Sequence, residues 1–198
     1  MFYKFIRALL FLPIKFFYPT KVIGKKNLLK ERCILYSNHK SNLDAIIIGI
    51  NVKQKISFLS KIELFKTKLS KWFYTKIGAI PVNRGKADIG AIKQVLTLLK
   101  NGGTLGIFPG GTRQKNEGEE EEYKNGVTIF AVKGKAPVIP MVFLNKPKLF
   151  KKNVLIIGKP FYLENETGKL EKEYLDKSAE LLKLKQQELI ELYNKGEF

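Results

Sequence analysis

The amino-acid sequence predicts an α/β domain in which a mostly parallel mixed sheet is flanked by helices, preceded by an amphipathic N-terminal helix. Short runs rich in Ile, Val, Leu and Phe recur along the chain, and stretches with helical periodicity separate them. Such alternation is typical of a parallel sheet covered by helices. A chain of 198 residues that is 44% hydrophobic is long and apolar enough for one packed domain.

The first stretch, MFYKFIRALLFLPIKFFYPT, is apolar, aromatic and basic. A secretory signal would be followed by a cleavage site of small residues, and none follows this stretch. Its cations and Pro13 disfavour one straight transmembrane helix. Lys4, Arg7 and Lys15 lie on one helical stripe, with apolar residues over much of the rest. This pattern predicts an interfacial amphipathic helix in a membrane-associating segment, residues 1–19. A terminal helix that packs on the domain is the alternative.

Six short apolar runs are the strand candidates, because each has the composition of a buried strand. They are residues 33–37, 56–60, 79–82, 104–108, 138–143 and 154–157. The helix candidates are residues 45–50, 62–77, 86–100 and 169–195. Asn101-Gly102-Gly103 would end the third of these helices, and residues 117–122 indicate an exposed acidic loop.

The formal net charge of +18 is carried by the front of the chain. Residues 1–116 contain 22 Lys and Arg against 4 Asp and Glu, whereas residues 117–198 contain 14 of each kind. Such a field attracts nucleic acid, anionic lipid or phosphorylated substrates. Because arginines are few and no helix-turn-helix, RNA-recognition or zinc signature is present, we expect no nucleic-acid partner.

The only cysteine is Cys33 and the only histidine is His39, which excludes an intramolecular disulfide and a metal site with several histidines. His39 and Asp44 follow the first strand candidate, and strand ends are where α/β proteins place their sites. The spacing lets Asp44 accept one imidazole N–H and leaves the other nitrogen as a general base. Such a base would deprotonate a substrate hydroxyl, so no protein nucleophile is needed. On spacing alone, a structural His–Asp pair is the alternative.

Two of the four arginines, Arg84 and Arg113, come shortly after strand candidates and stand near glycine. Arginine is a fork-shaped donor for phosphate, and glycine lets backbone N–H groups approach an anion. Together with His39 at a third strand end, these segments predict one phosphate-lined pocket.

Four blocks of sequence resemble, in order and spacing, the glycerolipid acyltransferases of the 1-acylglycerol-3-phosphate acyltransferase (lysophosphatidate acyltransferase) type. The blocks are NHKSNLD (38–44), GAIPVNRG (78–85), FPGGTR (108–113) and APVIPM (136–141). The resemblance implies an acyltransferase domain over residues 20–198. It also implies that His39 and Asp44 are catalytic. The implied substrate-binding residues are Arg84, Gly110, Gly111, Thr112 and Arg113, and backbone N–H groups near Gly110 and Gly111 would stabilise an oxyanion.

The implied reaction is acyl transfer from acyl-CoA or acyl carrier protein to the free hydroxyl of 1-acylglycerol 3-phosphate, which gives phosphatidate. No cofactor and no metal are expected. The expected partners are an anionic membrane surface and a lysophospholipid acceptor, at the cytoplasmic face of the cell membrane, for a peripheral or monotopic protein.

Gly110 departs from the family pattern, which has glutamate at this position of the third block. The departure leaves the acceptor open, with glycerol 3-phosphate or another lysophospholipid as an alternative. A non-catalytic lipid-binding relative is a further alternative.

Overall fold

The computed structural model describes residues 1–83, 88–112, 122–165 and 169–198. Within these ranges the strands are β1 (Thr20–Ile23), β2 (Cys33–Ser37), β3 (Ile56–Lys61), β4 (Ile80–Val82), β5 (Thr104–Ile107), β6 (Val138–Phe143) and β7 (Asn153–Ile157). The helices are α1 (Phe2–Phe17), α2 (Asp44–Asn51), α3 (Lys68–Ile77), α4 (Ile89–Lys100), α5 (Gly126–Gly134) and α6 (Lys172–Asn194).

The strands form one sheet in the order β1-β7-β6-β2-β5-β3-β4. Every pairing of neighbours is parallel except that of β6 with β7. The mostly parallel mixed sheet flanked by helices is therefore confirmed.

Helices cover both faces of the sheet. All five residues of β2 are buried, and alternate side chains enter different cores because successive strand residues point to opposite faces. Ile34 and Tyr36 pack with residues of α4, α5 and α6. Cys33 and Leu35 pack on the other face, with residues of α1 and α2.

Three elements differ from the sequence-based expectation by more than a few terminal residues. The edge strand β1 was not expected, because TKVI is short and contains Lys21. Helix α5 was not expected either, because GVTIFAVKG is an apolar run with no clear polar face. The predicted helix over residues 62–77 is divided into a 3-10 turn, Ile62–Phe65, and α3. The division falls at Thr67, whose Oγ1 accepts the Ser70 N–H at 3.1 Å and caps α3.

Helix α1 runs through Pro13 and packs on the domain along one side. Ile14 is buried in the core shared with α2. Arg7 donates to the Ile50 carbonyl at 3.2 Å, and Lys15 donates to Asn51 Oδ1 at 2.6 Å. Part of the predicted basic stripe thus binds the C-terminal end of α2, where the helix dipole stabilises a positive charge.

The outward side of α1 carries an apolar stripe made of Phe5, Leu9, Leu12 and Phe16. These four side chains are between 61% and 73% exposed. Helix α1 therefore packs on the domain, as the second sequence-based alternative expects, and presents an apolar surface on its outward side. In the described part of the chain, no helix combines the length and the apolarity needed to cross a membrane.

Candidate active site

The candidate site lies at the sheet edge where β2 and β5 both end. The two strands are parallel neighbours, with Tyr36 opposite Ile107. The residues that follow them, from Asn38 and from Phe108 onward, therefore emerge side by side. Strand order thus brings together two of the four blocks, which are far apart in the sequence.

His39 and Asp44 form the hydrogen-bonded pair that their spacing predicts. His39 Nδ1 lies 2.9 Å from Asp44 Oδ2. The same oxygen accepts the backbone N–H groups of Lys40 and Ser41, each at 2.7 Å. Because this carboxylate oxygen only accepts, Nδ1 carries a proton and Nε2 is the acceptor of the ring.

Asp44 is completely buried, as the first residue of α2. A buried carboxylate is tolerated only when N–H groups compensate for its lost hydration, and Oδ2 has three such donors. The N-terminal end of a helix also favours negative charge. Asp44 Oδ1 is buried and makes no hydrogen bond to any residue that the structure describes.

Neighbouring side chains hold the loop of the pair in place. The Asn38 amide donates to the Phe143 carbonyl at 3.0 Å and accepts the Phe143 N–H at 2.9 Å, which extends the pairing of β2 with β6 by one side chain. Lys40 Nζ donates to the Leu144 carbonyl at 2.9 Å. The loop is thus fixed from both sides of His39, which leaves the imidazole little freedom to turn.

An aromatic stack supports the imidazole, and the sequence did not predict it. The ring of His39 lies 4.1 Å from that of Phe108, with 16° between their planes, and Phe58 stacks behind Phe108 at 5.8 Å. Phe108 belongs to the FPGGTR block, but the block alone assigns it no role. The His39 side chain remains 16% exposed, and its Nε2 makes no hydrogen bond within the described ranges.

Gly106 makes room for this stack. A Cβ added there would lie 2.4 Å from Phe58 Cε1 and 2.8 Å from Ile56 Cγ2. We expect Gly106→Ala to lower the free energy of unfolding by about 1–3 kcal/mol, as overpacking in a core does, and to lower turnover by displacing Phe58 and Phe108 from His39.

Denaturant unfolding and steady-state kinetics measure both effects of Gly106→Ala. Gly49→Ala is the matched control, because the nearest atom to an added Cβ there is Tyr3 Oη at 3.6 Å. Since Gly49 lies inside α2, its replacement should be neutral or stabilising, by up to ~1 kcal/mol. Unchanged stability and turnover in Gly106→Ala would contradict a supporting role for the stack.

The third block forms a tight turn after β5. The Gly111 N–H donates to the Phe108 carbonyl at 2.9 Å, and Gly111 has a φ of 69°, a conformation that favours glycine. Its N–H is therefore engaged within the turn, which disfavours the expected oxyanion contact from this group. Gly110 is buried and Thr112 is exposed at the same edge.

Arg84 and Arg113 lie outside the described residues, as do residues 117–121 of the predicted acidic loop. The structure does describe the two ends of the segment that contains Arg84. Asp88 Oδ2 accepts the Asn83 N–H at 2.9 Å, and Asp88 Oδ1 accepts the Ala91 N–H at 2.9 Å. These backbone hydrogen bonds, chiefly that of Ala91, hold the pKa of the Asp88 carboxyl below its usual range. Asp88 thus caps α4 and ties it to the end of β4.

Comparisons with known proteins show which family this chain resembles. The family model described as Acyltransferase matches residues 19–144. A 1-acyl-sn-glycerol-3-phosphate acyltransferase of Bacillus subtilis (strain 168) is 34% identical over 183 residues, which cover 89% of this chain and 89% of that protein. The chloroplastic 1-acyl-sn-glycerol-3-phosphate acyltransferase BAT2 of Brassica napus is 30% identical over 137 residues, or 67% of this chain and 39% of that protein.

A solved structure shares the fold. It is the crystal structure of the 1-acyl-sn-glycerophosphate (LPA) acyltransferase PlsC from Thermotoga maritima, with a TM-score of 0.67 and 27% sequence identity. The match covers 97% of this chain and 77% of that one.

Proposed function

Because the chain belongs to the Acyltransferase family, we propose that it transfers an acyl group to the free hydroxyl of 1-acylglycerol 3-phosphate and so makes phosphatidate. The observation that carries this proposal is the His39–Asp44 pair, in which His39 Nδ1 lies 2.9 Å from Oδ2 of a buried carboxylate. It stands at the same sheet edge as the FPGGT turn. The relatives and the structural neighbour described above are named for this activity.

His39 is the general base of the proposed reaction. Its Nε2 takes the proton of the acceptor hydroxyl while Nδ1–H donates to Asp44. The hydroxyl oxygen attacks the thioester carbonyl carbon of acyl-CoA or acyl carrier protein, and the carbon–sulfur bond breaks as the ester forms. The proton on Nε2 passes to the leaving thiolate, so the enzyme returns to its starting state. No cofactor is needed for these steps.

Asp44 orients the imidazole and stabilises its protonated form. Its contact with Nδ1 selects the tautomer that leaves Nε2 as an acceptor. When His39 takes the proton, the same contact becomes a hydrogen bond between two charged groups, which is stronger than a neutral one.

The acceptor phosphate is proposed to bind Arg84 and Arg113, beside Gly110, Gly111 and Thr112. We expect Arg84→Ala to lower kcat/KM for the acceptor about 10- to 100-fold, because a hydrogen bond to a charged group contributes about 1.5–3 kcal/mol. KM for the acyl donor should change little.

Kinetics with the two substrates varied independently measure the effect of Arg84→Ala. Arg32→Ala is the matched control, because Arg32 is exposed immediately before β2, at the other end of that strand from His39. A raised donor KM with an unchanged acceptor KM would show that Arg84 does not bind the acceptor.

The acceptor and donor are decided by one panel of assays. The purified protein is offered 1-acylglycerol 3-phosphate, glycerol 3-phosphate and other lysophospholipids, each with acyl-CoA or acyl carrier protein. Preference for 1-acylglycerol 3-phosphate supports the proposal. Preference for another acceptor would indicate that glycine at position 110 adapts the site to that acceptor. No transfer to any acceptor would indicate that the protein is a non-catalytic lipid-binding relative.

The apolar stripe of α1 is proposed to dock the protein on the membrane that holds its lipid substrate. Four large apolar side chains exposed on one helix face are typical of an interfacial helix. Leu69 and Trp72 of α3 extend this surface, at 75% and 49% exposed, and Phe2 packs on Trp72 with ring centroids 5.1 Å apart. A peripheral or monotopic position on the cytoplasmic face would also meet the acyl donors.

Substitution of the stripe tests this docking. Leu9→Gln with Leu12→Gln should reduce vesicle binding at least about tenfold, because burying a leucine contributes about 1.5–3 kcal/mol. Leu184→Gln is the control, since Leu184 is 50% exposed on α6, which covers the other face of the sheet. Unchanged vesicle binding by the double variant would place the anchor elsewhere. Deleting residues 1–17 would be less informative, because it also removes the contacts of Arg7 and Ile14.

A further inference from the structure

A pocket of about 440 Å³ opens between α1 and the chain segment that links α2 to β3. Its lining includes Tyr3, Lys4, Arg7, Phe11, Lys53 and Lys55. Four of the seven lining residues are cationic and none is acidic. Such a concave cluster of like charges is costly without a bound anion, because the cations repel one another.

Arg7 is the fixed cation of this pocket. Its guanidinium donates to the carbonyls of Lys53 and Ile50, at 3.1 and 3.2 Å, so its position is set by the backbone at the end of α2. Its Nε is buried and has no hydrogen-bond partner within the described ranges. Neutral carbonyls leave the charge of the guanidinium uncompensated, and an unsatisfied buried donor calls for an acceptor.

The lysines around Arg7 are free to approach a ligand. Lys53 and Lys55 are exposed, and Lys55 Nζ lies over the ring of Tyr3, 5.9 Å from its centroid. No ion pair joins Lys4, Lys53 or Lys55 to a carboxylate in the part of the chain that the structure describes. A phosphate group would bring these three charges and Arg7 together on one ligand.

The pocket adjoins the apolar stripe of α1. Phe11 lines it and is 43% exposed, beside Leu12 of the stripe, and Lys4 precedes Phe5 of the stripe. A ligand with a phosphate in the pocket could therefore lay hydrocarbon along the stripe. An ammonium-bearing headgroup would be repelled by four cations, so the ligand should carry net negative charge.

We propose that this α1–α2 pocket binds the headgroup of an anionic phospholipid of the bilayer. The pocket is distinct from the acceptor site, because it lies at the C-terminal end of α2 whereas Asp44 begins that helix. Eight helical residues separate the two ends by about 12 Å. The lipid bound here holds the protein on the membrane and is not consumed as the acceptor. The inference rests on the proposed membrane docking of α1.

The test compares two charge-matched variants of the full chain. Lys53→Gln with Lys55→Gln removes two cations of the pocket, and Lys68→Gln with Lys71→Gln removes two exposed cations of α3 beside Leu69 and Trp72. The probe is a water-soluble short-chain phosphatidylglycerol, titrated calorimetrically below its micelle concentration. We expect saturable binding by the parent and by the α3 variant, and binding about 30-fold weaker in the pocket variant.

Three results would overturn the headgroup site. They are no saturable binding by the parent, equal losses in both variants, and equal binding of short-chain phosphatidylcholine. A pocket variant that binds lipid normally but loses turnover only with acyl carrier protein would assign the pocket to that acidic partner instead. Far-ultraviolet circular dichroism checks the folding of both variants, and Lys4→Gln with Lys55→Gln is a second pocket variant should the first be unstable.

The assay separates this inference from the proposed function. Saturable phosphatidylglycerol binding without acyl transfer to any acceptor would contradict the function and leave the pocket in place. Acyl transfer without such binding would support the proposed function and contradict the headgroup site.

Discussion

Replacing His39 by alanine is expected to lower turnover by about 10²–10⁴, the usual contribution of a positioned general base. His39 is the only imidazole of the chain, so no other histidine can take over the proton. The side chain lies at the surface of the site, 16% exposed and stacked on Phe108, so its loss should leave the sheet intact. Steady-state acyl transfer at saturating acceptor and donor measures the effect.

His39→Gln is the matched variant for this experiment. Glutamine cannot act as a base, but its amide N–H can still donate to Asp44, so the buried carboxylate keeps a third donor. We expect both variants to lose activity and the glutamine variant to keep a thermal midpoint nearer that of the parent. If either purified, folded variant retained more than about a tenth of the parent's turnover, a general-base role would be excluded.

The second large effect is expected for Asp44→Asn, which should lower kcat about 10- to 100-fold. Asp44 Oδ2 accepts two backbone N–H groups at 2.7 Å in addition to His39 Nδ1. These backbone donors require an acceptor, so an asparagine should keep its amide oxygen at this position. The imidazole then keeps its tautomer, and what is lost is the charge that stabilises imidazolium, worth about 1.5–3 kcal/mol.

Asp44→Ala is the comparison for this prediction. It leaves the backbone N–H groups of Lys40 and Ser41 without their acceptor, so we expect larger losses of both activity and stability than in Asp44→Asn. A fall of about 10⁴ in kcat for a folded Asp44→Asn would instead indicate that the wrong tautomer is stabilised. No fall at all would mean that Asp44 has a structural role only.

Two strands could be predicted from the sequence to the residue. The bounds of β2 and β6 are those expected, because each is an apolar run with clear ends that crosses the sheet buried on both faces. Helix α5 could not be recognised, because most of its residues are apolar and β-branched or small, and only its length separates such a helix from a strand. The edge strand β1 was missed because an edge strand needs little apolar sequence.

The candidate site also has one part that could be predicted from the sequence and another that could not. The His39–Asp44 pair is local, five residues apart, so its spacing was sufficient to predict the contact. The stack of His39 on Phe108 joins residues 69 positions apart, and it exists because β2 and β5 are neighbours in the sheet. The space that Gly106 leaves for Phe58 depends on the neighbouring pair β3 and β5.

The sequence by itself determined the alternation of helices and strands, the basic front of the chain, the contact of His39 with Asp44 and the resemblance to the family. These features follow from composition and from contacts between near neighbours in the chain. Only the tertiary structure decided which side of α1 faces outward and which atoms of Asp44 are satisfied. It also decided that Arg7, Lys53 and Lys55 meet in one pocket. Such contacts depend on the order of strands and the packing of helices, because those bring distant residues within a few ångströms of one another.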